Sequence, residues 1–420
     1  MDELQATLRA SALVRKAREA FRTGGFEEGV QRMEMALDTD PASLEAVELA
    51  REIERRAGED YLRHREARLL DLLEQAWPTK QRPIALLKCA SFYNAPSVMS
   101  WIRDQVQNET GPPATLDDEG DYPYVSVIVP FLEMDEDLDE TLESVFAQTH
   151  PGWELILVSD RDKEVSHSLV EVDGKKAVRQ DVKTVKLEGH RSVGMLGNMG
   201  ATRASAPWIV FLYPGTRLAP MYIERTLQAA FEHPDAAWIA PLEVCEGYLH
   251  QICGFERYDT ATLLQHDQFV ASSLIRRHVF RHVGGFVETQ AHGWESWEFW
   301  VHASAMGYQP RPLRDVLLFR TVTQDAQTST DADLRDRYLQ ARTAIIKNNP
   351  DLYLPLDEEA EKLLALSGEI PLELIDTVSL ERVQRRPNPL KNEPVAFQRA
   401  DLPKHITGRT EHRSDPDNRE

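Results

Sequence analysis

Apolar and polar positions alternate in two different rhythms along this chain. Residues 8 to 77 read as helix throughout, rich in Ala, Leu, Glu and Arg, with Pro41 as the strong break. The stretch Pro78 to Trp101 predicts one more short helix, and Asn108 to Tyr122 (NETGPPATLDDEGDY) has the composition of a linker. From Pro123 the rhythm changes. Val125 to Val129 is a continuous β-branched run, the signature of a strand buried on both faces. An amphipathic helix follows over Asp135 to Gln148, with Leu138, Leu142, Val145 and Phe146 on one face. Further strands are predicted at Leu155 to Val158, Val182 to Leu187 and Trp208 to Tyr213, with helices at Val193 to Ala204 and Met221 to Phe231. Strands alternating with helices imply an α/β unit built on a mainly parallel, doubly wound sheet with helices on both faces.

The expected division is therefore a helical region over 1–107, a linker over 108–122, an α/β domain over 123–347, C-terminal helices over 348–385 (Glu358 to Leu366 the clearest) and a polar, disordered tail over 386–420. With 420 residues the chain exceeds one ordinary core, in keeping with several units.

Charge narrows the partners. The 69 acidic against 48 basic residues leave a net charge of -21, which repels nucleic acid and anionic membranes over most of the surface. The longest apolar runs are strand-length, so no membrane span is expected. Cys89, Cys245 and Cys253 lack metal-ligand spacing and read as reduced, buried thiols; with no signal-like N-terminal apolar stretch, the expected location is cytoplasmic.

In the helical region, Leu13, Ala17, Ala20, Gly24, Phe26, Gly29, Met33, Ala36 and Pro41 fall at the spacing of a tetratricopeptide repeat, which this segment resembles. Gly29 stands where that family prefers Ala. A lone repeat buries little apolar surface, so the region is expected to be either an appendage packed on the main domain or a groove for a protein partner.

A more specific resemblance begins at Tyr124. In YVSVIVPFLEMDEDLDETLESVFAQTHPGWELILVSD, the residues Thr141, Leu142, Ser144, Val145, Gln148, Pro151, Trp153 and Glu154 fall in step with the opening of family-2 glycosyltransferases of the GT-A fold. The resemblance resumes in GNMGATRASAPWIVFLYPGTRLAP (Gly197 to Pro220) and again from Ser272 to Gly307, through Arg276, Arg277, Gly284, Gly285, Phe286, Glu288, Glu295, Trp297 and Trp300. It covers the central part of the chain and leaves out the helical region and the tail. It implies a GT-A-type, Rossmann-like sheet that binds ligands beyond the carboxyl ends of its strands. It also implies transfer of a sugar from a nucleotide sugar to an acceptor.

Carried over residue by residue, the resemblance places the nucleotide at Pro130, Phe131 and Glu133, and at Ser159 and Asp160, where Ser159 replaces one carboxylate of the family's pair. The alternative for Asp160 is a helix cap. The family's Asp-x-Asp metal element falls on Tyr213, Pro214 and Gly215, with Thr216 after it, so its carboxylates are gone. The family's base position is Ser296, flanked by Glu295 and Glu298, and its late His corresponds to Val322. No Mn or Mg cofactor is therefore expected. The diphosphate would fall to Tyr213, Gly215, Arg217, Arg276 and Arg277. Glu295 and Glu298 are the candidate catalytic carboxylates. Two functions follow from these departures: a transferase working without the usual metal, or a non-catalytic homologue acting as a binding, scaffold or regulatory subunit. His278 and His282 at helical spacing are expected to be surface histidines, and Trp294, Trp297 and Trp300 a buried helical stripe.

Overall fold

The computed structural model describes residues 3–23, 26–39, 46, 49, 60–77, 87, 96–108, 124–132, 136–159, 171–172, 175–176, 182–186, 192–247, 250–254, 257–287, 294–322, 331–353 and 384–392. Four helices come first: α1 (Glu3–Arg22), α2 (Phe26–Thr39), α3 (Asp60–Ala76) and α4 (Pro96–Gln107). There follow β1 (Val125–Pro130), α5 (Glu136–Phe146), β2 (Trp153–Ser159), β3 (Glu171–Val172), β4 (Lys175–Lys176), β5 (Val182–Lys186), α6 (Val193–Arg203) and β6 (Trp208–Phe211). The chain continues through β7 (Thr216–Leu218), α7 (Tyr222–Glu232), β8 (Trp238–Gly247), β9 (Gln251–Cys253), α8 (Thr260–Leu263) and β10 (Leu274–Arg276). It closes with α9 (Arg277–Val283), α10 (Glu295–Ala305), β11 (Pro310–Val322) and α11 (Asp331–Asn348).

Two compact units form. The first gathers 1–106 with 243–253 and 314–324; the second gathers 107–242, 254–313 and 325–420. The predicted boundary at 123 and 347 is thus crossed twice. Part of β8, all of β9 and most of β11 belong with the N-terminal helices. The reason is in the contacts. Within this first unit the Arg103 guanidinium on α4 donates to both carboxylate oxygens of Glu246 at 3.0 and 3.1 Å. Its helices bury Ala10, Val14, Ala17 and Ala20 from α1 and Met33 and Ala36 from α2. Gly29 is needed there, since a Cβ at that position would fall 2.5 Å from the Phe21 ring. The aromatic ring thus takes the space that a larger side chain at position 29 would need. Of the stretch between Pro41 and Asp60, expected to be helical, only Ala46 and Leu49 lie among the described residues. Both are buried.

In the second unit the strands run in the order β5-β2-β1-β6-β10-β8. The first four are parallel neighbours and β10 is antiparallel to both β6 and β8. The mainly parallel sheet is the one predicted. β1 and β2 are buried at every position, as their unbroken apolar runs require. Helix α6 comes close to them because Gly194, Gly197 and Gly200 recur every three residues on it. A Cβ on Gly200 would sit 2.3 Å from Ile128 Cγ2. β6 ends at Phe211, two residues before the predicted end, because the chain turns there: Thr216 N–H donates to Tyr213 O at 2.9 Å.

At the sheet's amino-terminal edge, the buried Glu154 carboxylate accepts from Ser126 Oγ at 2.5 Å and from Ser205 N and Oγ at 2.6 and 2.9 Å. Lys183 Nζ donates to its other oxygen. Burial alone would raise this carboxyl's pKa, but the donors from Lys183, Ser126 and Ser205 outweigh it and hold it below the usual glutamate range.

The tail from Arg386 is not wholly a disordered segment. Residues 386–392 pack on the second unit: Leu390 is 2% exposed, and Asn388 Nδ2 donates to Asp235 O at 2.7 Å. Arg386 Nη1 also donates to Ala305 O. The linker 109–122, the segment Glu358 to Leu366 and residues 393–420 lie outside the described residues. No helix among the described residues is long and apolar enough to cross a membrane.

Candidate functional site

Parallel strands present their carboxyl ends together, and beyond those ends the backbone groups and loops are free to meet a ligand. Here β1 ends at Pro130, β2 at Ser159 and β6 at Phe211. Pro130 and Ser159 are buried, and the buried Phe131 donates its N–H to Val158 O at 2.9 Å, pinning the two strand ends together. Glu133 and Asp160, the acidic residues expected to complete the base pocket, lie outside the described residues.

The turn after β6 carries Tyr213, Pro214 and Gly215. Its geometry is set by α5 rather than left open for a ligand. Gly215 N–H donates to Asp137 O at 3.2 Å and to Thr141 Oγ1 at 3.1 Å. One turn on, Ser144 Oγ accepts from Leu218 N at 3.0 Å. Gly215 itself takes φ 83°, a left-handed conformation that suits glycine. Its N–H is therefore engaged by α5, whereas the expectation from sequence leaves it open to a diphosphate. Arg217 Nη1 pairs with Glu140 Oε2 at 2.9 Å on the same helix. Sequence does not reveal that α5 supplies acceptors to this turn.

Arg276 and Arg277 stand at the other end of the parallel strands from the one expected. β10 runs antiparallel to β6 with Arg276 opposite Trp208, the first residue of β6, so Arg276 lies at the amino-terminal end of the parallel strands. Its guanidinium, on a residue 5% exposed, donates to Ala236 O at 2.7 Å and Pro234 O at 2.5 Å and lies 4.6 Å from the Trp208 ring centroid. Arg277 Nη1 donates to Ala204 O at 2.7 Å. These arginines close loop ends at the amino-terminal edge of the parallel strands, opposite the carboxyl ends where the resemblance places a ligand, and their motif position alone could not tell the two edges apart.

What does gather beyond β6 is Tyr213, Glu295 and the first turn of α6. Glu295 opens α10 and is 7% exposed. Its Cγ lies 3.1 Å from where a Cβ on Gly194 would stand, so the side chain runs across the start of α6, and only glycine leaves room for it. Ser192 caps that helix by accepting from Met195 N at 3.2 Å. Burial, followed by the nearby Glu295 carboxylate, pushes the Tyr213 phenol above its ordinary pKa, so it remains a neutral hydrogen-bond donor.

Ser296 is buried beside Glu295. Glu298 is a different kind of group: its Oε1 accepts from Asn348 Nδ2 at 2.6 Å, and burial raises its pKa. It anchors α11 to α10, leaving Glu295 as the one of the two candidate carboxylates beside Tyr213. Trp297 and Trp300 are fully buried, with Trp297 Nε1 donating to Leu263 O at 2.7 Å and Trp300 stacked on Trp238 at 5.1 Å. His282 Nδ1 meets Tyr308 Oη at 2.5 Å, on an otherwise exposed face.

A positioning residue escaped the sequence reading. Asn198 on α6 donates to Phe286 O and accepts from Phe286 N, both at 2.8 Å. It thereby fixes the Gly284-Gly285-Phe286 turn against the helix that carries Gly194. The signal was available in the glycine spacing of GMLGNMG, where Asn198 follows the second glycine.

Comparisons with known proteins find the following similarities. A sequence model of the family described as Glycosyl transferase family 2 matches residues 126–284. TuaG of Bacillus subtilis (strain 168), whose name assigns it to teichuronic acid biosynthesis as a glycosyltransferase, is 26% identical over 110 residues, 26% of this chain and 43% of TuaG. The match thus spans less than half of that relative's length. An uncharacterized glycosyltransferase of Haemophilus influenzae (strain Rd) is 23% identical over 217 residues, 49% of this chain and 71% of that protein. Among solved structures, Staphylococcus aureus TarS residues 1–349 in complex with UDP-GlcNAc is 15% identical, with a TM-score of 0.42 over 58% of this chain and 80% of that one. Residues 126–284 of this chain thus match the sequence pattern of glycosyl transferase family 2, and the domain that contains them is family-2 glycosyltransferase-like.

Proposed function

We propose that the second unit binds a nucleotide sugar beyond the carboxyl ends of β1, β2 and β6 and transfers its sugar to an acceptor, with Glu295 as the base. The observation that carries this reading is the meeting of Glu295, Tyr213 and the first turn of α6 at the end of β6. In the transfer, an acceptor oxygen forms a bond to the anomeric carbon as the bond from that carbon to the diphosphate oxygen breaks. The acceptor's proton passes to the Glu295 carboxylate, and the electron pair leaves with the diphosphate. The Tyr213 phenol, kept protonated, is suited to donate a hydrogen bond to the departing oxygen.

The dication that usually assists such a departure does not fit these residues. A hard cation wants about six oxygen ligands. Among the described residues, the end of β6 offers one carboxylate and one phenol, and the nearby Gly215 N–H is already committed to α5. The proposed chemistry therefore runs without a metal. The test is turnover of UDP- and GDP-linked sugars by wild type and Glu295→Gln, with circular dichroism confirming the fold. A positioned base contributes about 100-fold or more, so the variant should lose at least that much in kcat with its nucleotide affinity kept. Equal turnover by the two proteins would remove Glu295 from the mechanism. Absence of turnover by wild type across all donors would favour a non-catalytic role.

A further inference from the structure

The first unit contains a cluster that the sequence spacing concealed. β8 and β9 form an antiparallel hairpin in which Glu243 stands opposite Cys253 and Cys245 opposite Gln251. Residues two apart on a strand share a face, and so do opposed residues across a pair. Glu243, Cys245, Gln251 and Cys253 therefore all project from one face of the hairpin. Cys245 Sγ lies 3.4 Å from Cys253 Sγ and 3.7 Å from Glu243 Oε2, and the three ligand atoms lie within 4.8 Å of one another.

We propose that Glu243, Cys245 and Cys253 form a binding site for a thiophilic divalent ion, zinc in the first instance. The geometry favours it. With bonds of about 2.3 Å to sulfur and about 2.0 Å to oxygen, a tetrahedral ion sets two sulfurs about 3.8 Å apart and a sulfur and an oxygen about 3.5 Å apart; the S–S distance of 3.4 Å and the S–O distance of 3.7 Å lie within about 0.4 Å of those values, a small side-chain adjustment away. Each sulfur also receives an N–H donor, as metal-bound thiolates commonly do. Arg320 Nη2 donates to Cys245 Sγ at 3.2 Å, and Gln251 Nε2 donates to Cys253 Sγ at 3.3 Å. Arg320 Nε further orients Glu243 through Oε2 at 2.9 Å. The charges balance as well. One carboxylate and two thiolates are neutralised by one guanidinium and one dication, so the occupied site leaves no unpaired buried charge.

A disulfide is the competing fate of the pair. The register argues against it: Cys245 and Cys253 are diagonal neighbours, not directly opposed ones. Diagonal side chains on a sheet start further apart than the Cβ separation of about 3.8 Å that a disulfide needs. An ion spans that gap without moving the strands. Binding exchanges two thiol protons for the dication, with no change of oxidation state, and leaves a fourth position for water or an exogenous ligand.

The experiment uses the full chain, reduced and freed of metal by chelator. Zinc is titrated in competition with a chromophoric chelator, and cobalt(II) serves as the optical probe. The expected result is one ion per chain with a tetrahedral cobalt spectrum carrying thiolate-to-metal charge transfer. Cys245→Ser and Cys253→Ser should each weaken zinc binding by about tenfold or more, and Glu243→Gln should weaken it while leaving the charge-transfer bands. A reduced wild-type chain that retains no zinc at micromolar concentration would overturn the proposal, as would serine variants that bind like wild type. Because the wild-type titration decides by itself, failure of a variant to fold does not shield the idea. The readout is independent of sugar transfer.

Discussion

Replacing Glu154 by alanine would test which interactions hold the amino-terminal edge of the sheet together. Two accounts of this carboxylate compete: an ion pair with Lys183, or an acceptor for buried hydroxyl and backbone donors. Lys183 is 42% exposed on its side chain and Glu154 2%, so the lysine regains water if its partner is lost. An ion pair with one solvated member contributes at most about 1 kcal/mol. The other donors are less easily compensated. Ser126 is fully buried and donates at 2.5 Å, and Ser205 N donates at 2.6 Å. Hydrogen bonds to a charged acceptor contribute about 1.5–3 kcal/mol each. Ala206 N keeps Ser126 Oγ as an acceptor at 3.2 Å, so it adds little to the loss. Part of the gain is returned because the carboxylate's own burial cost disappears with it. Glu154→Ala should therefore destabilise the unit by about 3 kcal/mol, and Lys183→Ala by less than about 1 kcal/mol. For a unit of this size that corresponds to roughly 6–12 °C in Tm for the first and under about 4 °C for the second.

The same carboxylate has a defined pH signature. Its folded pKa is depressed below the ordinary value of 4.5, so its contribution is present above 4.5 and is lost as the pH falls through the folded pKa. The stability gap between wild type and Glu154→Ala should therefore narrow as pH drops below that value. Urea unfolding at a series of pH values, followed by fluorescence of the buried tryptophans, measures both effects. Equal losses for the glutamate and lysine variants, or a gap that widens in acid, would refute the reasoning.

Three further outcomes follow from the packing. Gly200→Ala places a methyl 2.3 Å from Ile128 Cγ2 and 3.0 Å from Val158 Cγ2; it should cost about 1–3 kcal/mol in the same unfolding assay despite alanine's better helix propensity. Arg276→Met removes two short bonds to carbonyls and the contact with Trp208, costing about 2–4 kcal/mol of stability. Its nucleotide affinity should match wild type, and a tenfold loss in the folded variant would restore the arginine to the diphosphate site. Asn198→Ala frees the Phe286 backbone and should lower kcat in sugar transfer more than stability predicts, whereas Asn198→Asp, which keeps one of the two bonds, should fall between.

The sheet was legible because buried parallel strands require unbroken apolar runs, and Val125 to Val129 and Leu155 to Val158 have them. The short strands β7 and β10 have no such run, and pairing with neighbours distant in sequence decides them. The helical region was legible as helix, but not its attachment. The Arg103–Glu246 pair joins residues 143 positions apart, which no local pattern records. At the candidate site, motif position selected Glu295 and Tyr213 and also selected Arg276 and Arg277, because a motif gives order along the chain but not which end of the sheet a side chain occupies. Arg276 acquires its place from the antiparallel register of β10 with β6. Cys245 and Cys253 looked unrelated for the opposite reason: seven intervening residues resemble no common ligand spacing until the hairpin folds them onto one face.

The central claim of the proposed function is that this family-2 glycosyltransferase-like domain binds a nucleotide sugar without a divalent ion. Calorimetric titration of UDP, GDP and their sugar conjugates into the full chain, in EDTA and again in millimolar manganese, tests it most directly. The account predicts saturable binding of one nucleotide class, with a Kd that changes less than about threefold between the two buffers, roughly 0.7 kcal/mol. A gain of about tenfold or more on adding manganese, some 1.4 kcal/mol, would contradict it and place a working metal site beyond the strand ends.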